Sequence, residues 1–427
     1  MTIACETYTL SNGLRVVLHR ENALPVVCVT IAYHVGSRDE QPGRTGFAHL
    51  FEHLMFDGSA NVPRGAFDRH CEQAGGYSNA YTVEDKTVYY EVLPANHLAL
   101  GLWLESDRLL ALSLTSEGLE TQRSVVMEEK RQRVDNQPYG TWDERMAMRL
   151  YAGHPYGHTV IGSMDDIAAA TMDDVTAFHS AYYRPNNAVL SIAGDFDPVE
   201  ARDLIEHYFG SIPAGPVVPR IDARTWLPPG GHVEVVHDQV PLPAVFAAWR
   251  IPSERDPAFP SIDLLSDVLG NGDTSRLHHA LVYEQQVASQ SSAYVDARED
   301  GGMFVVYAVA NPGRTAGELE AAIDREIARL VAGGITEAEM TKTRNRMESS
   351  LYLHLQTVQA RADRLAHFTV VHDDPALAST VLDRYSAVTA GDVHAAAAHL
   401  GTDQRVVLHY VPAAPSDTHD SDEQHDR

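Results

Sequence analysis

Cysteine is scarce in this chain of 427 residues: Cys5, Cys28 and Cys71 form an odd and widely separated set. No disulfide framework follows from them, and none makes the Cys-x-x-Cys pattern of a structural zinc site. Positive charge is also short, with 33 Lys and Arg against 59 Asp and Glu and a formal net charge of −26. Phosphate attraction needs a basic surface, so the balance argues against nucleic acid as a partner and against docking on anionic lipid. An acidic surface can attract basic peptides, but its simplest role is to keep a protein soluble. No apolar run reaches the roughly 20 residues of a membrane span. The N-terminus, MTIACETYTLSNGL, lacks the basic-then-apolar order of a secretory signal. Together these absences predict a soluble protein of the reducing cytoplasm, with no membrane partner.

What is present is enough apolar material, 44% of residues, for two or three buried cores. Asn12-Gly13 between apolar flanks is a hairpin signal. The β-branched run VVCVTIAYHVG leads to a helical pattern that begins near Thr45 and stops at Gly58. A second helix opens at Pro63 and ends before Gly75-Gly76. The strands YSNAYTV and KTVYYEVL follow, then a largely helical stretch to about Phe178 and the strand NAVLSIAGDF. Prolines crowd residues 213–231 and disfavour helix and central strand alike, which marks a linker. Beyond it the order recurs: strands HVEVVHD and AVFAAWRI, two helices, strands QSSAYVD and GGMFVVYAVA, long helices and a last strand QRVVLHYV. The recurrence predicts two homologous α+β halves, residues 1–212 and 232–413, each a mixed sheet packed by helices. Residues 414–427 lack apolar content and are expected to be a disordered acidic tail.

The chemistry concentrates in His49-Leu50-Phe51-Glu52-His53. Residues four apart share a helix face, so His49 and His53 can hold one ion through imidazole nitrogens. Glu52 lies beside that face, placed to take a proton from a metal-bound water. A catalytic zinc ordinarily has three protein ligands and one open position, so another ligand must come from elsewhere. The helix TSEGLETQRSVVMEEKRQR offers Glu128 and Glu129. Glu129 aligns with Val126, Val125 and Gln122 and should face inward, whereas Glu128 aligns with the polar Ser124, Thr121 and Gln132. The spacing therefore selects Glu129, and an imidazole-rich set favours zinc. A surface helix that happens to carry two His and a Glu is the competing reading. His154, Tyr156 and His158 in HPYGH have no third ligand nearby and read as a structural loop, while His34, His70 and His97 stand alone.

The His-x-x-Glu-His order is the reverse of the thermolysin type and resembles the inverzincins. Together with EQAGGYSNAYTVEDKTVYYEV, QRSVVMEEKRQ and NGDTSRLHHALVYEQ, it resembles the pitrilysin/insulinase zinc-peptidase family over roughly residues 6–412. The likeness is to the two-domain branch that includes mitochondrial and bacterial processing peptidases. The resemblance implies zinc on His49, His53 and Glu129, with Glu52 as general base. It also implies that Asn79-Ala80 lies on a strand edge that holds the substrate peptide. Alternating polarity in YSNAYTV fits an edge that could add a peptide strand, although Asn79 is equally suited to a turn.

One part of the family pattern is missing. The second half of such proteins carries an Arg and a Tyr seven residues apart, which meet the developing oxyanion. In LVYEQQVASQ those places hold Val282 and Ser289, with Tyr283 and Tyr294 out of register. The expected function is a zinc endopeptidase subunit that acts on short or unfolded peptides. Its expected partner is a homologous zinc-less subunit that supplies Arg and Tyr, forming a heterodimer. A non-catalytic scaffold subunit is the alternative, and the presence of all four residues of the zinc motif argues against it.

Overall fold

The computed structural model describes residues 3–218, 220 and 230–413. Most of the expected linker core, residues 219 and 221–229, and the expected tail 414–427 lie outside the described residues. Six strands form the first sheet: β1 (Glu6–Thr9), β2 (Arg15–Arg20), β3 (Val26–Tyr33), β4 (Tyr77–Thr82), β5 (Thr87–Pro94) and β6 (Ala188–Gly194). They lie in the order β1-β2-β6-β3-β5-β4, with β2 and β6 parallel and the other neighbours antiparallel. Asn12-Gly13 turns the first hairpin, with Gly13 at φ 88° and the Asn12 amide donating to the carbonyls of Phe209 and Ile212. β3 and β6 are buried almost throughout. Burial on both faces explains why they read as continuous apolar runs rather than as alternating strands.

The second sheet contains β7 (His232–Asp238), β8 (Ala244–Arg250), β9 (Ala288–Asp296), β10 (Met303–Ala310) and β11 (Arg405–Pro412) in the order β7-β11-β8-β10-β9. β7 and β11 are parallel and the rest antiparallel. The first sheet, taken from β2, follows the same plan of β2-β6-β3-β5-β4. The two homologous α+β halves expected from the recurrence are therefore present in the topology. One detail differs: of the two helices expected between β8 and β9, only Phe259–Gly270 is an α-helix, and the second is a π-helical turn, His278–Glu284.

The halves exchange helices. Val358–His372, from the second half, lies across β3 and β6 of the first sheet. It buries Leu365, Ala366 and Val370 in a cluster with Val17, Ala32 and Val189. In return Trp142–Leu150 of the first half packs on β8 and β11, placing Met146 and Leu150 among Phe246, Leu408 and Val305. Each fully buried aliphatic side chain contributes about 1.5–3 kcal/mol, so the exchange binds the halves tightly.

Charges reinforce the same seam. Arg38, 4% exposed, reaches Asp85 at 3.1 Å in its own half and Glu299 at 3.3 Å and Asp300 at 2.5 Å in the other. His34 is not solitary after all, since its Nε2 lies 2.7 Å from Glu299 Oε2. Arg298 reaches Glu84 at 2.9 Å. Because Glu84 and Asp85 lie in the turn between β4 and β5, the second half fixes one end of β4. The HPYGH loop is structural, as expected: Tyr156 donates its hydroxyl to Asp85 and accepts from the Asp300 N–H, and His154 Nδ1 accepts from the Tyr156 N–H.

Candidate metal centre

The motif helix spans Phe47–Leu54. Gly46 precedes it at φ 89°, where a Cβ would come within 2.7 Å of the Ile161 carbonyl oxygen, so the tight entry requires glycine. The buried carboxylate of Glu40 accepts from the N–H groups of Gly46 at 2.8 Å and Ala48 at 2.7 Å. It thereby satisfies donors that a helix start leaves free. Phe47, Leu50, Phe51 and Leu54 are buried. The Phe51 ring stacks on Phe178 and Tyr183 with centroids 5.3 and 5.1 Å apart, and the Tyr89 hydroxyl donates to the Phe51 carbonyl. With that face held in the core, His49, Glu52 and His53 line a cleft on the other side.

Glu129 meets them from the helix Ser116–Lys130. Its Oε2 lies 3.6 Å from His49 Nε2 and 3.4 Å from His53 Nε2, and the three donor atoms all fall within 4.8 Å of one another. Two imidazole nitrogens and a carboxylate oxygen converging at these separations fit a zinc ion with bonds of about 2.0–2.2 Å and one position left open. Glu128 points elsewhere, accepting from Gln132 at 2.9 Å and from Arg131. The packed face is narrower than the spacing predicts: Val126 is buried, but Val125 is 44% exposed. A residue at i−4 from Glu129 sits at the rim of the packed stripe rather than inside it. Past Lys130 the helix widens into a π-helical turn, Arg131–Asp135, and Arg133 lies 2.7 Å from Glu129 Oε1.

Glu52 Oε2 accepts a 2.7 Å hydrogen bond from Thr82 Oγ1. Burial raises the Glu52 pKa, against the opposing pull of Thr82 and His53. Burial, and then the neighbouring His53, push the His49 pKa down to about 4, which favours the neutral imidazole that metal ligation requires. Among the described residues β4 is the sheet edge, with β5 as its one paired neighbour. Asn79 and Ala80 line the same cleft as His49, Glu52, His53 and Glu129, a space of about 610 Å³. Asn79 sits mid-strand opposite Tyr90. The turn lies further on, closed by Val83 N–H to Lys86 C=O, so the turn reading of Asn79 is corrected. Its side-chain oxygen accepts from the Ala80 N–H at 2.8 Å.

All six candidate residues therefore meet in one place. Three further residues were not foreseen. Arg133 could have been found as the i+4 neighbour of Glu129, and Thr82 as the next residue on the Ala80 face of β4. Nothing local in the sequence marks Glu40. In the second half, Val282 packs against the core, Ser289 donates to the Val309 carbonyl, and Tyr283 is 74% exposed.

A His-His-Glu donor set thus stands beside Glu52 in one cleft of a duplicated α+β fold. Residues 15–163 match the insulinase family (peptidase family M16), and residues 169–347 match the M16 inactive domain. The zinc protease PqqE of Helicobacter pylori is 34% identical over 372 residues, covering 86% of this chain and 84% of that protein. A probable mitochondrial-processing peptidase subunit beta of Schizosaccharomyces pombe is 27% identical over 371 residues, covering 84% and 80%. The crystal structure of a protease from Helicobacter pylori superposes with a TM-score of 0.91 at 31% identity, covering 96% of this chain and all of that one. The chain belongs to the M16 (pitrilysin/insulinase) family of zinc proteases. Among the described residues no helix is long and apolar enough to cross a membrane.

Proposed function

We propose that this chain is the zinc-bearing subunit of an endopeptidase that cuts short or unfolded peptides. The observation that carries the reading is the convergence of His49, His53, Glu129 and Glu52 on one cleft beside the open edge of β4. His49, His53 and Glu129 hold the zinc. When bound, zinc lowers the pKa of a water and polarises the scissile carbonyl. Glu52, oriented by Thr82, takes the proton of the attacking water and passes it to the leaving amine. The substrate adds to the edge of β4 at Asn79 and Ala80 through backbone hydrogen bonds, so sequence preference is broad and set by a few side-chain pockets.

The oxyanion needs a donor that the corresponding second-half positions do not supply. Val282 has none, and the Ser289 hydroxyl is engaged by Val309. The partner is therefore a homologous zinc-less subunit that contributes Arg and Tyr across a heterodimer interface. A cytoplasmic location accords with three free cysteines. The test is cleavage of a fluorogenic peptide by the purified chain with and without its partner. Alone, the chain should bind about one zinc at this centre and turn over on the order of 100- to 1,000-fold more slowly than the pair. Full turnover by the chain alone would overturn the heterodimer.

A further inference from the structure

The second half contains a cluster that the zinc chemistry above does not use. Glu254 lies in the segment after β8. His367 and His372 lie at the C-terminal end of the helix Val358–His372, the one that crosses under the first sheet. Nothing in their spacing suggests a pair: five residues apart, they fall on different faces of an ideal helix. The fold brings them together through Glu254. Its Oε2 lies 3.4 Å from His367 Nε2 and its Oε1 lies 3.8 Å from His372 Nε2. One ligand atom from each residue lies within 4.8 Å of the other two.

Both separations exceed the 2.7–3.2 Å of a well-formed N–H···O bond: the Glu254–His367 hydrogen bond is long, His372 stands further off, and the spacing suits an ion between the three. The first centre shows a similar spacing, 3.4 and 3.6 Å from carboxylate to imidazoles. The donor chemistry is also the same, two imidazole nitrogens and one carboxylate oxygen.

The surroundings favour an ion over a simple contact. Glu254 and His372 are largely buried, with side chains 12% and 8% exposed, while His367 is 28% exposed. A buried carboxylate needs a compensating positive charge. Beyond the two histidines, the cation that acts on Glu254 is Lys86, which is shared with Asp363 at 4.0 Å, and the adjacent Arg255 pairs with Glu299 at 2.6 Å. The three residues open onto a cavity of about 300 Å³, so a bound ion would keep a position free for solvent or a small ligand.

We propose that Glu254, His367 and His372 form a second divalent-metal site, of the zinc and cobalt class, in the half that lacks the reversed motif. The site fastens the end of the crossing helix to the loop after β8. One turn before His367, Asp363 accepts the hydroxyl of Tyr81, the neighbour of Ala80 on β4. The ion is thus anchored on the helix that also buttresses the peptide-binding edge.

The test uses the full chain, purified without a histidine tag, stripped by chelator and titrated with cobalt(II). Bound metal is counted after gel filtration, and ligation is followed by visible absorption. Wild type should bind two equivalents, and H49A/H53A and H367A/H372A one each. The quadruple variant should bind none. Cobalt should raise the melting temperature of H49A/H53A, and adding E254Q, which keeps the side-chain shape should H367A/H372A fail to fold, should cancel that rise. A wild type that binds a single equivalent, lost with H49A/H53A, would overturn the site. So would a second equivalent that survives in H367A/H372A or in E254Q.

Discussion

Two helices occupy corresponding places in the two halves. The motif helix Phe47–Leu54 follows β3 and contacts β4, and Phe259–Gly270 follows β8 and contacts β9. The first buries one face and presents His49, Glu52 and His53 on the other. The second buries Ile262, Leu264, Leu265, Val268 and Leu269 and carries no such trio. The same topology therefore supports a helix that carries the candidate metal ligands in one half and an almost wholly structural one in the other. The fold is held by the apolar faces that the halves share, and the chemistry depends on what the remaining face carries.

The most severe way to break this asymmetry is Glu52→Gln. It should keep the zinc of the first centre and lower kcat by about 100- to 10,000-fold, read by metal analysis alongside peptide cleavage. Retained activity would remove Glu52 from the chemistry. Glu129→Gln should release zinc where Glu128→Gln should not, and equal loss from both would mean that the third ligand is misassigned.

Core truncations test the other side of the comparison. Leu265→Ala should cost about 2–5 kcal/mol and Phe51→Ala about 3–5 kcal/mol, measured by denaturant unfolding. Only the second should also lower zinc retention, because only that helix carries the proposed ligand pair. Equal zinc loss from both would mean that the centre depends on global stability rather than on its own helix.

The seam between the halves should respond to acid. Burial raises the pKa of Glu299, but the His34 hydrogen bond and the charges of Arg38 and Arg255 outweigh it and hold the value near 2. A carboxylate depressed in the folded state stabilises fully above its unfolded pKa of about 4.3 and loses that contribution as pH falls towards the folded value. Thermal melts should therefore fall between about pH 4.5 and 2. Glu299→Gln should flatten that slope and cost on the order of 3 kcal/mol at neutral pH. An unchanged slope would show that the seam is not set by this carboxylate. The smallest effect is expected from Thr82→Val, which removes the hydrogen bond that orients Glu52 and should lower kcat about tenfold with zinc content unchanged.

The sequence by itself determined the strands, the duplication and the identity of the candidate ligands. These follow from local periodicity and from i,i+4 geometry, which are properties of a single element. The preference for Glu129 over Glu128 was legible on the same ground, although the exposed Val125 shows how coarse a helical stripe is at its edge. What depends on distant segments was not legible. Glu40 caps the motif helix from a separate segment, His34 and Arg38 find their partners some 260 residues away, and the helices Trp142–Leu150 and Val358–His372 each cover the other half's sheet. Glu254, His367 and His372 are the extreme case: no spacing rule joins them, and only the path of the crossing helix past the loop after β8 does. Local pattern fixes which face a residue takes, but which faces meet is set by burial across the whole chain, and that was decided by the tertiary structure alone.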